Sequence, residues 1–186
     1  MPHIYLLAAT ANAWTVILIL GAAFWVQFAA GEPPCPLCVL QRIGLMFCAL
    51  GPVYLLIGQR NGDVSVRNVA VAGGIGIVAG LFGAAASARQ VLLHILPDDP
   101  GFGSPVLGIH LYTWCLIAFI VHIAASGLML IGATWLPERR IKPWPLTGVT
   151  AGALAAMVIA NILSVIAEAG FHWELPSDPT GYLLFK

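Results

Sequence analysis

Charge is scarce in this chain. Asp, Glu, Lys and Arg make up only 9% of its 186 residues, eight basic against eight acidic. A water-facing domain carries roughly 25% charged residues, so too little charge is present to cover a solvated surface. There is no basic run and the net charge is zero, which argues against a nucleic-acid partner. A haem attachment motif is missing too, because the Cys35-x-x-Cys38 pair is followed by Val39 rather than histidine. No dinucleotide-binding fingerprint, internal repeat or low-complexity segment occurs.

Apolar residues fill the space that charge leaves: 60% of the chain is hydrophobic, with a mean hydropathy of +0.92. Five stretches approach or exceed the ~20 residues that cross a bilayer: about Ile4 to Ala30, Val39 to Ile57, Asn68 to Leu93, Leu107 to Ile131 and Leu146 to Ala167. The expected fold is therefore all-α, a polytopic helical bundle in which residues 1–186 form one integral membrane domain. A loop at 31–42, which overlaps the start of the second stretch, and a tail at 170–186 complete the domain. The first stretch lacks a basic leader and runs past twenty residues, so it reads as a retained span rather than a signal peptide. Trp14 and Trp25 are expected as its interfacial anchors. The third is rich in small residues (Gly73, Gly74, Gly76, Gly80, Gly83 and Ala84 to Ala86), whose spacing lets helix backbones approach closely in lipid.

Orientation follows from the basic residues. Arg60, Arg67, Arg139, Arg140 and Lys142 follow the second and fourth stretches, whereas the loop after the third carries Asp98 and Asp99 and no Lys or Arg. The positive-inside rule puts the N-terminus and the basic loops in the cytoplasm. The 31–42 loop and the tail then face the other side, which in a bacterium is the oxidising periplasm.

The chemistry concentrates in Pro33-Pro34-Cys35-Pro36-Leu37-Cys38-Val39-Leu40-Gln41-Arg42. Prolines 33, 34 and 36 break the helix between the first two spans, so the dithiol is expected in an exposed turn. Three readings apply to the pair. A structural disulfide closing so short a ring removes little loop entropy. A metal site needs further ligands, for which His94 and His110 lie on the same membrane face. A redox couple fits best, since an oxidising compartment, a small ring and a nearby cation all favour reactivity. Electrons from a membrane-embedded dithiol need an acceptor, and a lipid-soluble quinone suits an all-helical membrane protein. Arg42 can stabilise a thiolate at Cys38 and a quinone oxygen gaining electron density, or it can simply snorkel to the head groups.

Cys35-x-x-Cys38-x-x-x-Arg42, Arg89 with Pro97, and Leu107-Gly108 followed by Trp114 together resemble the disulfide-bond-formation protein B (DsbB) family of bacterial inner membranes. The likeness covers roughly Ile4 to Ile131. It implies a four-helix DsbB-like core, here with a fifth transmembrane helix. It also implies a protein-disulfide oxidoreductase that takes electrons from a periplasmic thioredoxin-fold, DsbA-like oxidase and passes them to the membrane quinone pool, ubiquinone or menaquinone. By this resemblance Cys35 is the exchanging sulfur and Cys38 the quinone-facing one, with Arg42, His94, His110, Leu111 and Trp114 as candidate quinone contacts. The fifth span and the tail are additions to the family's minimal bundle, and the loop between spans three and four departs from its pattern. Typical members carry a second cysteine pair between spans three and four, whereas residues 97–106 contain none.

The other cysteines, Cys48 and Cys115, fall roughly 10–14 Å inside spans two and four at 1.5 Å per residue, and read as small buried hydrophobes. His122 is expected to hydrogen-bond between helices, and Glu168 to be solvated at the outer interface. Two other functions remain open on sequence: a metal-handling or transport protein using Cys35, Cys38 and a histidine, and a non-catalytic membrane subunit with a vestigial dithiol.

Overall fold

A computed structural model describes residues 2–59, 64–135, 144–172, 174–177 and 179–185. Arg60, Arg139, Arg140 and Lys142, four of the residues used to orient the chain, lie outside the described residues. Five helices carry the fold: α1 (Pro2–Ala29), α2 (Pro36–Gly58), α3 (Val66–Leu93), α4 (Leu111–Ala133) and α5 (Thr147–Ala169), followed by a short 3-10 helix, Leu183–Phe185. All five α-helices are long and apolar enough to span a membrane, and no strand is present among the described residues. The chain is an all-α, multi-pass membrane bundle.

Within the bundle α2 packs on α1, α3 and α5, while α4 packs chiefly on α3. The α2–α3–α4 packing is close because small residues meet. A Cβ on Gly51 would lie 2.3 Å from the Ala72 carbonyl oxygen, and one on Gly83 would run into the Phe119 ring. Gly73, Gly76 and Gly80 likewise face Leu130, Ser126 and Ile123 of α4, whereas Gly74 faces open space. The small-residue stripe is thus a packing surface on one side only, as backbone approach in lipid requires. Leu20, Leu45, Ala49, Phe119 and Leu154 form one buried cluster, and Leu6, Leu55, Leu56, Val69 and Ala133 a second.

Three local expectations are corrected. Helix α2 starts at Pro36, so Cys38 lies in its first turn rather than in an extended loop. Proline at the first helical position has φ already suited to a helix and gives up only an N–H that would have no intrahelical partner. Helix α4 starts at Leu111, and residues 106–109 form a tight turn instead, closed by paired Val106–Ile109 bonds with Leu107 at φ 54° and Gly108 at φ 77°. Trp14 sits in mid-helix because α1 begins at Pro2. It packs against the core and donates Nε1–H to Thr150 Oγ1 of α5 (3.1 Å) rather than anchoring at an interface. Trp25, by contrast, is exposed.

Candidate functional site

Pro36 sets the start of α2, and Cys35 becomes its N-cap: the Cys35 sulfur accepts the Cys38 backbone N–H at 3.2 Å. The two sulfurs stand 2.8 Å apart. Cys38 is therefore held in the first turn of a helix, where unpaired N–H groups and the helix dipole favour negative charge. The pair is less open than a Pro-rich loop suggests. Cys35 is 6% exposed and Cys38 half-buried. The hydrogen bond to Cys38, and after it burial, push the Cys35 thiol up.

Neighbouring helices surround the pair with polar groups. Gln90, from the last turn of α3 and 1% exposed, places Nε2 3.4 Å from the Cys35 sulfur and 3.6 Å from the Cys38 sulfur. Its Oε1 accepts from Gln41 Nε2 at 2.7 Å, which fixes the amide so that its N–H groups point at the sulfurs. Arg42, one turn beyond Cys38, is 7% exposed and turned into the bundle rather than to head groups. It donates through Nη1 to Gln27 Oε1 (2.6 Å) and through Nη2 to the Ala23 carbonyl (3.2 Å), with its guanidinium carbon 5.0 Å from the centre of the Phe24 ring. Gln27 in turn donates to Ser164 Oγ of α5 (2.7 Å) and to Tyr182 Oη of the tail (3.2 Å).

Beside these groups lies a cavity of about 510 Å³ between α1, α2 and α4. Cys38, Gln41 and Arg42 line one side, and Leu111, Trp114 and Cys115 another, with Ile19, Ala22, Val26 and Ala118 among the apolar walls. Trp114 gives its Nε1–H to the Val106 carbonyl (3.1 Å), so it ties the 106–109 turn over the cavity mouth. A flat, mostly apolar ring with a lipophilic tail fits this space. Its walls are mostly apolar with a few polar groups, and among the described residues two of the five guanidinium N–H donors of Arg42 are engaged. A bound quinone would be held by these walls, with Arg42 at its polar edge.

Of the candidates read from sequence, Cys38, Arg42, Leu111 and Trp114 meet around the one cavity. His94 and His110 are not among its lining residues. His94 Nδ1 lies 3.0 Å from Asp99 Oδ1, and the His110 ring sits on the Gly101 backbone with Nδ1 3.1 Å from the Gly103 carbonyl. Both rings stack on Tyr112, organising the loop at 97–110. The Gly101 N–H, and then His94, hold the Asp99 carboxyl below its usual range. Among the described residues no three His, Cys, Asp or Glu side chains converge as metal ligands. His122 bridges helices through Asn12 (3.0 Å). Cys48 is buried in the core, and Cys115 sits at the edge of the same cluster.

Sequence reading missed Gln27, Gln41 and Gln90. The available signal was that each is an amide inside an otherwise apolar span, where an unpaired polar group is unfavourable. Glu168 is corrected outright. It is 0% exposed rather than solvated, and at this end of the bundle the tail folds back: residues 183–185 pack on α5, with Gly170 against Leu183 and Tyr182 reaching Gln27. A clasp also joins the two loops at this end, since Glu32 accepts from both the backbone N–H (3.1 Å) and the hydroxyl of Ser104.

Comparison with known proteins gives a consistent result. Residues 5–105 match the family model described as "Disulfide bond formation protein DsbB". The chain is 31% identical over 157 residues to "Disulfide bond formation protein B" of Pseudomonas syringae pv. tomato, covering 68% of this chain and 86% of that protein. It is 30% identical over 155 residues to "Disulfide bond formation protein B 1" of Burkholderia lata, covering 69% and 88%. A shorter match, 43% identical over 96 residues, is to "Disulfide bond formation protein B" of Chromobacterium violaceum; it spans 51% of this chain and about half (52%) of that protein's length. No solved structure matches.

Proposed function

Since the chain belongs to the disulfide bond formation protein B family, we propose that it is a thiol:quinone oxidoreductase. In this reading it oxidises a periplasmic thioredoxin-fold dithiol protein and passes the electrons to a membrane quinone. The observation that carries it is the shared cavity: Cys38 and Arg42 line one apolar chamber of quinone size, and Cys35 lies directly behind Cys38. We place the protein in a bacterial inner membrane as one integral domain, N-terminus cytoplasmic, with the 31–42 redox loop and the 170–186 tail periplasmic.

A thiolate of the partner attacks Cys35, forming a mixed disulfide, and Cys38 leaves as a thiolate. That charge is met by the α2 N-terminus, the Gln90 amide and Arg42. The second partner thiol then resolves the mixed disulfide, leaving Cys35 protonated. A quinone in the cavity supplies a two-electron, two-proton acceptor. As the electron pair leaves, Cys38 and Cys35 close again to the disulfide. With no cysteine in residues 97–106, either the partner acts on Cys35–Cys38 directly or another protein supplies the relay. Because Cys35 is almost buried, its approach requires the covering segments to shift.

The test follows quinone absorbance in purified protein given a reduced thioredoxin-fold donor and a soluble quinone analogue. Quinone loss that disappears in Cys38→Ser supports the reading. Absence of turnover with several donors refutes it. The metal-handling alternative is disfavoured by the lack of converging ligands among the described residues. A vestigial dithiol predicts that Cys35→Ser leaves the physiological role intact.

A further inference from the structure

Helix α5 and the tail add a group that the mechanism above does not use. Glu168 is fully buried, and neither carboxyl oxygen has a hydrogen-bond partner among the described residues. Ser164 lies one turn earlier on the same face of α5, and it accepts from Gln27, which itself accepts from Arg42. The polar chain from Arg42 thus ends on the face of α5 that carries Glu168. Cys38 lies one turn before Arg42 on α2, so Arg42 has one acidic group on its own helix and a second on the far side of the Gln27–Ser164 link. The other ionisable groups facing Arg42 are Tyr182 of the tail and Cys115 of α4. Helix α1 contributes only uncharged partners among the described residues: the Gln27 amide, the Ala23 carbonyl and the Phe24 ring. No carboxylate is at ion-pair distance from Arg42 among the described residues.

One buried cation therefore serves two acids. In a low-dielectric setting a single positive charge compensates a single negative one, and a second anion is strongly disfavoured. We propose that Glu168 is the proton-holding partner of Cys38: ionised near Arg42 while Cys35–Cys38 is a disulfide, and protonated when Cys38 is a thiolate. The inference rests on the thiol-exchange half of the function proposed above and does not depend on the acceptor.

The step balances. An incoming dithiol brings two electrons and two protons and leaves as a disulfide. The Cys35–Cys38 bond breaks, one proton stays on Cys35, the other passes to Glu168, and Cys38 keeps the negative charge opposite Arg42. On reoxidation the electron pair leaves the two sulfurs, the S–S bond re-forms, and the protons of Cys35 and Glu168 depart with it. Glu168 returns to its carboxylate. Net charge at the site is the same in both states, so each half-reaction moves neutral hydrogen equivalents through an apolar interior.

Redox-induced infrared difference spectroscopy on the full chain in detergent tests this, using dithiothreitol and no quinone, with thiol trapping in parallel. Reduction is expected to bring up one protonated-carboxyl stretch that shifts in heavy water. It should vanish in Glu168→Gln and persist at a displaced frequency in Glu168→Asp. If trapping shows the pair reduced in the wild type and no such band appears, or if the band survives in Glu168→Gln, the proposal is overturned while the thiol reading stands. A Cys35–Cys38 pair that trapping shows to be resistant to reduction overturns both. The wild-type measurement decides even if a variant folds poorly.

Discussion

Replacing Gln90 with leucine, a side chain of similar volume, separates redox tuning from packing. In the structure the Gln90 amide does two jobs: Nε2 faces both sulfurs at 3.4 and 3.6 Å, and Oε1 satisfies Gln41 at 2.7 Å. Hydrogen bonds to a charged group contribute about 1.5–3 kcal/mol against about 1 kcal/mol for neutral ones, so the contacts favour the reduced pair, where Cys38 carries charge, over the disulfide. The N···S distances are long, which puts the loss in Gln90→Leu near the lower end, about 1.5–2 kcal/mol. For a two-electron couple 30 mV corresponds to about 1.4 kcal/mol, so the Cys35–Cys38 potential is expected to become roughly 30–45 mV more negative. Stability should fall as well, by about 1–3 kcal/mol, because the buried Gln41 amide loses its acceptor. Thiol trapping after equilibration in dithiol redox buffers reads the potential, and thermal unfolding in detergent reads the stability. Adding Gln41→Leu should recover stability without restoring the potential. A potential that stays put while the melting temperature drops would refute the reasoning and reduce Gln90 to a packing residue.

Three further outcomes are expected. Arg42→Leu removes the only buried cation among the described residues and leaves Gln27 Oε1 without its donor. Losing ~2–3 kcal/mol of charge stabilisation should slow donor-dependent quinone reduction roughly 30- to 150-fold. Arg42→Lys should recover only part of this, since one ammonium cannot reach both Gln27 and the Ala23 carbonyl; full rescue would show that charge alone matters. Gly51→Ala drives a methyl to 2.3 Å from the Ala72 carbonyl oxygen and should cost about 1–3 kcal/mol of stability. Gly74→Ala, with nothing within 4 Å, should be neutral or slightly stabilising in the same melt. Finally, the Glu32–Ser104 clasp should respond only to acid. Its hydrogen bonds to Ser104 hold the Glu32 carboxyl below its ordinary value of 4.5, so the clasp is fully formed above that value and is lost as pH falls through the lower folded-state value. Amide-exchange protection at Ser104 reports it, and Glu32→Gln should abolish the acid transition. Loss of protection nearer neutrality would point to the histidines instead.

The five helices and the Cys35–Arg42 segment were legible because each depends on local features: an apolar run of sufficient length, a proline cluster, a fixed Cys-to-Arg spacing. The stripe on α3 was legible as well, though which of its glycines face a neighbour was not. The residues that read wrongly all depend on contacts distant in sequence. Glu168 looked solvated because nothing local shows that the tail folds back onto α5, where residues 183–185 pack. Trp14 looked like an anchor because its partner, Thr150, lies on another helix. Gln90 showed only an amide within an apolar span, because the sulfurs it meets lie more than 50 residues away. A lone amide in a span announces that it needs a partner, but not which one.

The Tyr182 hydroxyl has a consequence for biogenesis. It closes onto Gln27 across 155 positions, so the polar lattice behind Arg42 is complete only after all five helices have been inserted and the tail has folded back onto α5. Contacts of such separation form late, and α1, though synthesised first, holds Gln27 without its Tyr182 partner until then. A protein truncated before Tyr182, or carrying a bulky fusion there, would still insert and would still carry both cysteines. It would emerge with the chamber walls in place and the seat of Arg42 unfinished.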